Sequence, residues 1–250
     1  SLARSCIVYI STGTDKEHRT LGTEIVTILV GPKRKAFSLH KKLLCSRSAY
    51  FNKAFNGGFK ETEGTMYLPE DDPTAFDALV VFIYQNRLPL FPSKQFPANI
   101  EGCDCYAGVL ERIIFFADKL CINELANKSM DLMQDLEMEY SRLVNPERIA
   151  NVYKRTGPKS KFRLYCTATR CYDLRIYESE RMERVKKLAI EVPEFGADML
   201  EFNSQYGPRI FGKTKFDPGI RDGEAGLGRC FFHTHYPGEI CHLTAGLSET

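Results

Sequence analysis

The nineteen residues FSLHKKLLCSRSAYFNKAF, Phe37 to Phe55, constrain the fold more than any other part of the chain. Leu39, Leu43 and Leu44 recur at helical spacing, and so do Tyr50, Phe51, Ala54 and Phe55. Ser48 stands between the two sets, and its hydroxyl suits it to accept from the backbone N–H groups that open a helix. The stretch is expected to form two short helices packed on one another. A Ser–His or Cys–His nucleophile is the competing reading, but it requires side chains that meet. His40 and Cys45 lie five apart on what reads as one helix, so they point about 140° from each other. The histidine and the thiol therefore read as scaffold.

The flanking segments continue in short elements. EIVTILVG is rich in β-branched residues, and with the turn GPKRK and the following KAFSL it predicts a two-stranded hairpin. Lys33, Arg34 and Lys35 fall on that turn as a solvated tip, the alternative being a nuclear-import signal. TMYLPEDD predicts a strand and a turn. Asp72 then caps a helix beginning at Pro73, with Phe76, Leu79, Val80, Ile83 and Tyr84 at helical spacing. Residues 86–106 carry Pro89, Pro92 and Pro97 and predict a loop holding Cys103 and Cys105.

Leu110, Ile113, Ile114, Ala117 and Leu120 open a second helical block. It breaks near Ile122 and Asn123 and resumes through Leu125, Ser129, Leu132, Met133 and Leu136. Asn145, Pro146 and Glu147 start a further helix that runs to Gly157. Helices follow at about 160–176 and 180–188, the latter ended by Pro193. Six glycines and two prolines between Ser204 and Gly228 read as a tether, and no internal repeat is visible.

Composition narrows the function. Of 250 residues, 34 are basic and 32 acidic, and a net charge of +2 gives no strong field for a nucleic-acid backbone. The apolar runs are too short or too interrupted to span a bilayer, so no membrane partner is expected. The first residues lack the pattern of a secretory signal. Nine scattered cysteines, an odd number in a chain large enough not to need staples, read mostly as reduced thiols. An intracellular protein, cytoplasmic or nuclear, is expected.

Phe37, His40, Lys41, Leu44, Ser48, Tyr50 and Phe51 follow the pattern F-x-x-H-K-x-x-L-x-x-x-S-x-Y-F. With Asp72-Pro73, Phe76, Phe82-Ile83-Tyr84, Ala117-Asp118-Lys119-Leu120 and Leu125, this order of motifs resembles the BTB/POZ domain over about residues 22–137. Asn151 to Arg163, NVYKRTGPKSKFR, resembles the helical extension that follows this domain in proteins of the fungal type. The resemblance implies an α+β fold, a small sheet flanked by a cluster of helices, with His40 a buried structural residue. It also implies a protein-interaction module without catalytic activity.

The expected plan is an N-terminal extension (1–21), the BTB/POZ domain (22–137, with 86–106 as a loop insertion), a helical extension (138–203), a Gly-rich tether (204–229) and a Cys/His knuckle (230–242). By the same resemblance, Phe59-Lys60-Glu61 occupies the place where ligase adaptors carry a hydrophobic residue and a glutamate. Phe59 and Glu61 are thus candidates for docking a cullin-type ubiquitin-ligase scaffold. Family dimers pair an acidic residue at the start of the first strand with a basic one after the motif histidine. Lys41 keeps the basic partner, Ile25 aligns with the acidic place and Glu24 precedes it. A homodimer built in the family's manner is therefore left open, as is a transcription-associated role.

The tail CFFHTHYPGEICH concentrates three of the five histidines and two cysteines. Cys230, His233, His235 and Cys241 offer two thiolates and two imidazoles, the ligand set of a closed structural zinc site, with His242 to spare. The alternative is a polar tail or a strand in which His233 and His235 share a face. A metal-dependent hydrolase would need an open coordination position and a general base, for which Glu239 is the nearby carboxylate.

Overall fold

The computed structural model describes residues 21–58, 63–89, 99–141, 144–176, 180–210, 217–221 and 227–243. The chain divides into two compact units, Ser1–Asp71 and Asp72–Thr250. Short strands and helices are followed by a long helical region, the α+β arrangement expected.

In the first unit, β1 (Ile25–Val30) is the centre of a three-stranded sheet of order β2-β1-β3. It pairs antiparallel with β2 (Lys35–His40) and parallel with β3 (Thr65–Leu68). Alternation buries Val26, Ile28 and Val30 completely, which pins the register, because a slip of one residue would turn all three to the other face. The hairpin turn takes left-handed backbone at Gly31 and Arg34, and the Arg34 guanidinium sits 4.7 Å over the Tyr67 ring. Two helices follow, α1 (Lys41–Arg47) and α2 (Ala49–Asn56), with Ser48 capping the second by accepting from the Phe51 N–H at 3.4 Å. Leu44, Phe51 and Phe55 bury their inner faces.

The boundary differs from the sequence expectation in one respect. Leu39 and His40 belong to β2, not to the helix, because Leu39 pairs with Val26 and His40 with Ile25. His40 and Cys45 therefore do not share a helix. His40 closes the strand half-buried rather than enclosed.

The second unit opens with α3 (Pro73–Gln85), where Asp72 accepts from the Thr74 N–H at 2.6 Å and Pro73 takes the first helical position. Then come α4 (Ile100–Lys119), α5 (Asn123–Glu139), α6 (Pro146–Arg155), α7 (Lys161–Ile176), α8 (Glu180–Glu191) and α9 (Pro193–Ile210). The loop expected over 86–106 ends earlier. Asn99 caps α4 by accepting from the Gly102 N–H at 2.9 Å, and Cys103, Ala107 and Leu110 are buried at helical spacing. Cys103 and the exposed Cys105 are two residues apart on that helix and face different sides.

The core of this unit runs through α4 to α9 and includes Phe232 from the C-terminal segment. Phe115 meets Phe162 at 5.8 Å, Tyr153 meets Phe195 at 5.6 Å and Tyr165 meets Phe232 at 5.1 Å, all between ring centroids. The expected tether is also revised. α9 continues to Ile210, and Pro218 is buried, its carbonyl accepting from Gln134 Nε2 at 2.8 Å. The Gly219 N–H donates to Asp217 Oδ1 at 2.8 Å.

One helix breaks the usual partition of polar and apolar faces. Asn127, Asp131, Gln134 and Glu137 of α5 are all buried, at spacings that place them on one stripe. Glu137 accepts from the Tyr165 hydroxyl at 2.7 Å, while its other oxygen has no hydrogen-bond partner. Burial pushes its carboxyl up to about 7, against the opposing pull of the Tyr165 bond, Arg148 and Arg170.

Two consequences are measurable. The Glu137 carboxyl is raised above its unfolded value, so its proton stabilises the fold at low pH, and that stability is lost as pH rises through about 7. Glu137→Gln should flatten the decline in unfolding free energy between pH 5 and pH 8. In the first unit, Phe51→Ala should cost about 3–5 kcal/mol in denaturant unfolding, against about 1 kcal/mol for loss of the helix cap in Ser48→Ala.

Candidate metal centre

The C-terminal segment has little regular structure, so local turns and polar contacts to α5 place its side chains. Phe232 seats in the core, and Lys161 Nζ holds the Phe231 carbonyl at 3.0 Å. The Phe231 N–H donates to the Gly228 carbonyl at 3.2 Å and the His233 N–H to the Cys230 carbonyl at 3.0 Å. Gly228, at φ 99°, supplies a left-handed conformation that few other residues adopt. These turns bring Cys230 and His233 to one side. The chain then extends through residues 233–236, so that His233 and His235 share a face, and a turn at Gly238 returns Cys241 to them.

Thr234, between the two histidines, is read by the Asn127 side chain as a strand partner would read it. Asn127 donates to the Thr234 carbonyl and accepts from its N–H, both at 2.9 Å. Glu239 Oε2 accepts from Asn123 Nδ2 at 3.0 Å and from the Tyr236 N–H at 2.7 Å. The carboxylate marked as a candidate general base thus shapes the turn.

One ligand atom each from Cys230, His233, His235 and Cys241 lies within 4.8 Å of the other three. His233 Nδ1 is 3.4 Å from Cys241 Sγ, and its Nε2 is 3.0 Å from Asp131 Oδ1. The carboxylate so positioned leaves Nδ1 for the cluster, the outer-shell arrangement that orients a ligating imidazole. Both ring nitrogens of His235 are buried without a hydrogen-bond partner, and the Leu243 N–H lies 3.5 Å from Cys241 Sγ. Burial and the adjoining Cys241 thiol push Cys230 up to about 11, while burial and neighbouring His233 lower His235 and favour its neutral form. Two thiols beside His233 Nδ1 and the orphaned ring of His235 suit a cation that accepts one donor atom from each of the four residues. These residues fit a closed metal centre, with no protein donor left out to make an open catalytic position.

Asp131, on α5, is the residue that sequence reasoning missed. Burial alone would raise its carboxyl, but hydrogen bonds from His233 and from His242 at 2.7 Å, with Arg221 nearby, hold it at about 2. Arg221 also donates to the Asp131 carbonyl at 2.8 Å and pairs with Asp135 at 2.7 Å. His242, the apparent spare, therefore serves the carboxylate and stacks on His233 with ring centroids 5.3 Å apart. The available signal was the run Asn123, Asn127, Asp131, one polar residue every four along a helix with an apolar opposite face.

The other predicted sites come from the front of the chain. Phe59 and Glu61 lie outside the described residues. Lys41 Nζ pairs with Glu24 Oε1 at 2.9 Å, and the Lys41 N–H donates to the Glu24 carbonyl. The carboxylate that meets Lys41 is thus Glu24 and not a group at position 25, where Ile25 is 49% exposed. Among the motif residues, Leu44, Ser48 and Phe51 are buried, and Phe37 and Tyr50 are half-buried. No helix among the described residues is long and apolar enough to cross a membrane.

Comparison with known proteins places the front of the chain. Residues 24–136 match the family model described as BTB/POZ domain. Among solved structures, the BTB domain of zebrafish PATZ1 is 17% identical, with 44% of this chain and 75% of that one covered at a TM-score of 0.31. The BTB (Tramtrack and Bric a brac) domain of human Gigaxonin is 9% identical, with 50% and 98% covered at 0.32. The family match spans β1 to α5 in unbroken order, and residues 24–136 of this chain are a BTB/POZ domain, a protein-interaction module.

Proposed function

We propose that this chain is an interaction adaptor that recruits a cullin-type ubiquitin-ligase scaffold through Phe59 and Glu61. A zinc ion bound by Cys230, His233, His235 and Cys241 then clips its C-terminal segment to α5. The adaptor reading rests above all on the BTB/POZ domain at residues 24–136. Phe59-Lys60-Glu61 supports the cullin reading, since an aromatic anchor supplies buried area and the adjoining carboxylate supplies direction. The helices after residue 139 and the Cys/His tail are in keeping with the fungal type, and they are where a client would be held. A transcription-associated role is the second reading, and failure to bind a cullin would favour it. Self-association would use Ile25 beside the Glu24–Lys41 pair. Lys41 already has its carboxylate within the chain, which argues against the charged exchange of the family's dimers.

Zinc is favoured over other metals by the donor set. Thiolates are soft ligands, imidazoles suit the same ion, and four protein donors close a tetrahedral site. When bound, it would supply structural cross-linking. The chain's own residues do the rest: Asp131 orients His233, Asn127 holds Thr234, and Phe232 anchors the segment in the core.

Two experiments test these readings. Calorimetric titration with the N-terminal domain of a BTB-binding cullin should give a dissociation constant of about 1 μM or tighter, and Phe59→Ala/Glu61→Ala should abolish the heat. Absence of heat from folded wild-type protein would remove the cullin reading. Elemental analysis of purified protein should find one zinc per chain. Stripping the metal, or Cys230→Ser/Cys241→Ser, should lower the melting temperature and speed amide exchange across residues 230–243. Zinc-free protein with unchanged protection would remove the metal.

A further inference from the structure

The Cys/His group contains two thiols that touch. The Cys241 thiol is in hydrogen-bonding contact with Cys230, and the two sulfurs lie within 4.8 Å of one another. They differ in access. Cys230 is half-buried, whereas Cys241 is buried, with its sulfur 3.4 Å from His233 Nδ1 and 3.5 Å from the Leu243 N–H. A disulfide needs sulfurs that can close to about 2.0 Å, and two thiols already in contact are within reach of it by turning their side chains. An accessible sulfur beside an enclosed one suits a division of labour in which the first meets an oxidant and the second resolves the product.

The segment that carries the pair has other holds on the helices. Between the two cysteines, Phe232 sits in the core, Asn127 pairs with both backbone groups of Thr234, and Glu239 Oε2 accepts from Asn123 Nδ2 at 3.0 Å. Beyond them, His242 Nε2 is 2.7 Å from Asp131 Oδ2. None of these groups is a donor in the cluster. The sulfurs can therefore change their bonding while the backbone stays against α5.

We propose that Cys230 and Cys241 form a reversible disulfide that takes the place of the metal, so that hydrogen peroxide releases the ion while the segment stays docked. This deepens the zinc reading and rests on it. Cys230 Sγ attacks one peroxide oxygen, the O–O bond breaks, and the sulfur becomes a sulfenic acid while the other oxygen leaves as water. Cys241 Sγ then attacks Cys230 Sγ, the S–S bond forms, and the sulfenic hydroxyl leaves as a second water. Two electrons pass from the sulfur pair to the peroxide. The two protons come from the thiols, or from solvent where the sulfurs begin as thiolates. The thiolate is the form that ligates, so bridging withdraws two of the four donors. An ion that otherwise stays is then let go, and a dithiol reductant restores the pair.

Peroxide titration of the zinc-loaded full chain tests this. A chromogenic chelator follows zinc release, and digestion without reductant followed by mass spectrometry locates the bridge. One zinc should leave for each Cys230–Cys241 bridge formed, and dithiothreitol with added zinc should restore the starting state. Amide exchange across residues 230–243 should be slower in the bridged protein than in reduced protein stripped of metal. Cys241→Ser should leave a sulfenic acid on Cys230 that dimedone traps, a readout that does not require the variant to keep its zinc. Zinc release without the bridge, or with a bridge to another cysteine, would overturn the assignment. Exchange as fast in the bridged protein as in the stripped one would overturn the continued docking. Protein that carries zinc and forms no bridge would overturn this exchange alone, whereas protein that never carries zinc yet forms the bridge would overturn the exchange together with the metal centre beneath it.

Discussion

A carboxylate buried on α5 sets the terms for the second unit. Asp131 points into a region from which water is excluded, and an uncompensated charge there would cost several kcal/mol. It is compensated by His233, His242 and Arg221, all from the segment after α9. Asn127 and Gln134 on the same stripe have their partners in that segment too. The C-terminal residues and α5 therefore depend on each other: the helix cannot leave its polar stripe dry and unpaired, and the segment has few apolar groups besides Phe231 and Phe232 with which to hold itself. The exposed Glu24–Lys41 pair has no such leverage, because a surface ion pair contributes about 0–1 kcal/mol.

What could be read from the sequence divides along the distance over which each signal acts. Ser48, Asp72-Pro73 and Asn145-Pro146 mark helix starts by chemistry confined to three or four residues, and each cap forms as expected. The hairpin of β1 and β2 was equally local. Helical spacing misassigned Leu39 because a leucine suits either period, and its pairing with Val26 decided the matter. Prolines hid the start of α4, since the loop they mark stops at Asn99 while the buried face beginning at Cys103 looks unremarkable beside Gly102.

The candidate site was legible in half. Its four donors stand within twelve residues and announce themselves by type and spacing. The groups that position them do not, because Asn127 is 107 residues from Thr234 and Asp131 is 102 from His233. Nothing in a polar residue on a helix says that it will be buried until its partner is known. For the same reason the glycines after Ser204 suggested slack, whereas the neighbouring Pro218 is buried and its carbonyl accepts from Gln134.

The Cys/His group poses the opposite electrostatic question to Asp131. At the tail, two thiols and two imidazoles are gathered around a space where a cation would accept one atom from each. Buried polar groups are ordinarily paired within the fold. His235 breaks that rule at both ring nitrogens, and a cation held by the four side chains would satisfy one of them. The group is largely enclosed, so it suits an ion that stays.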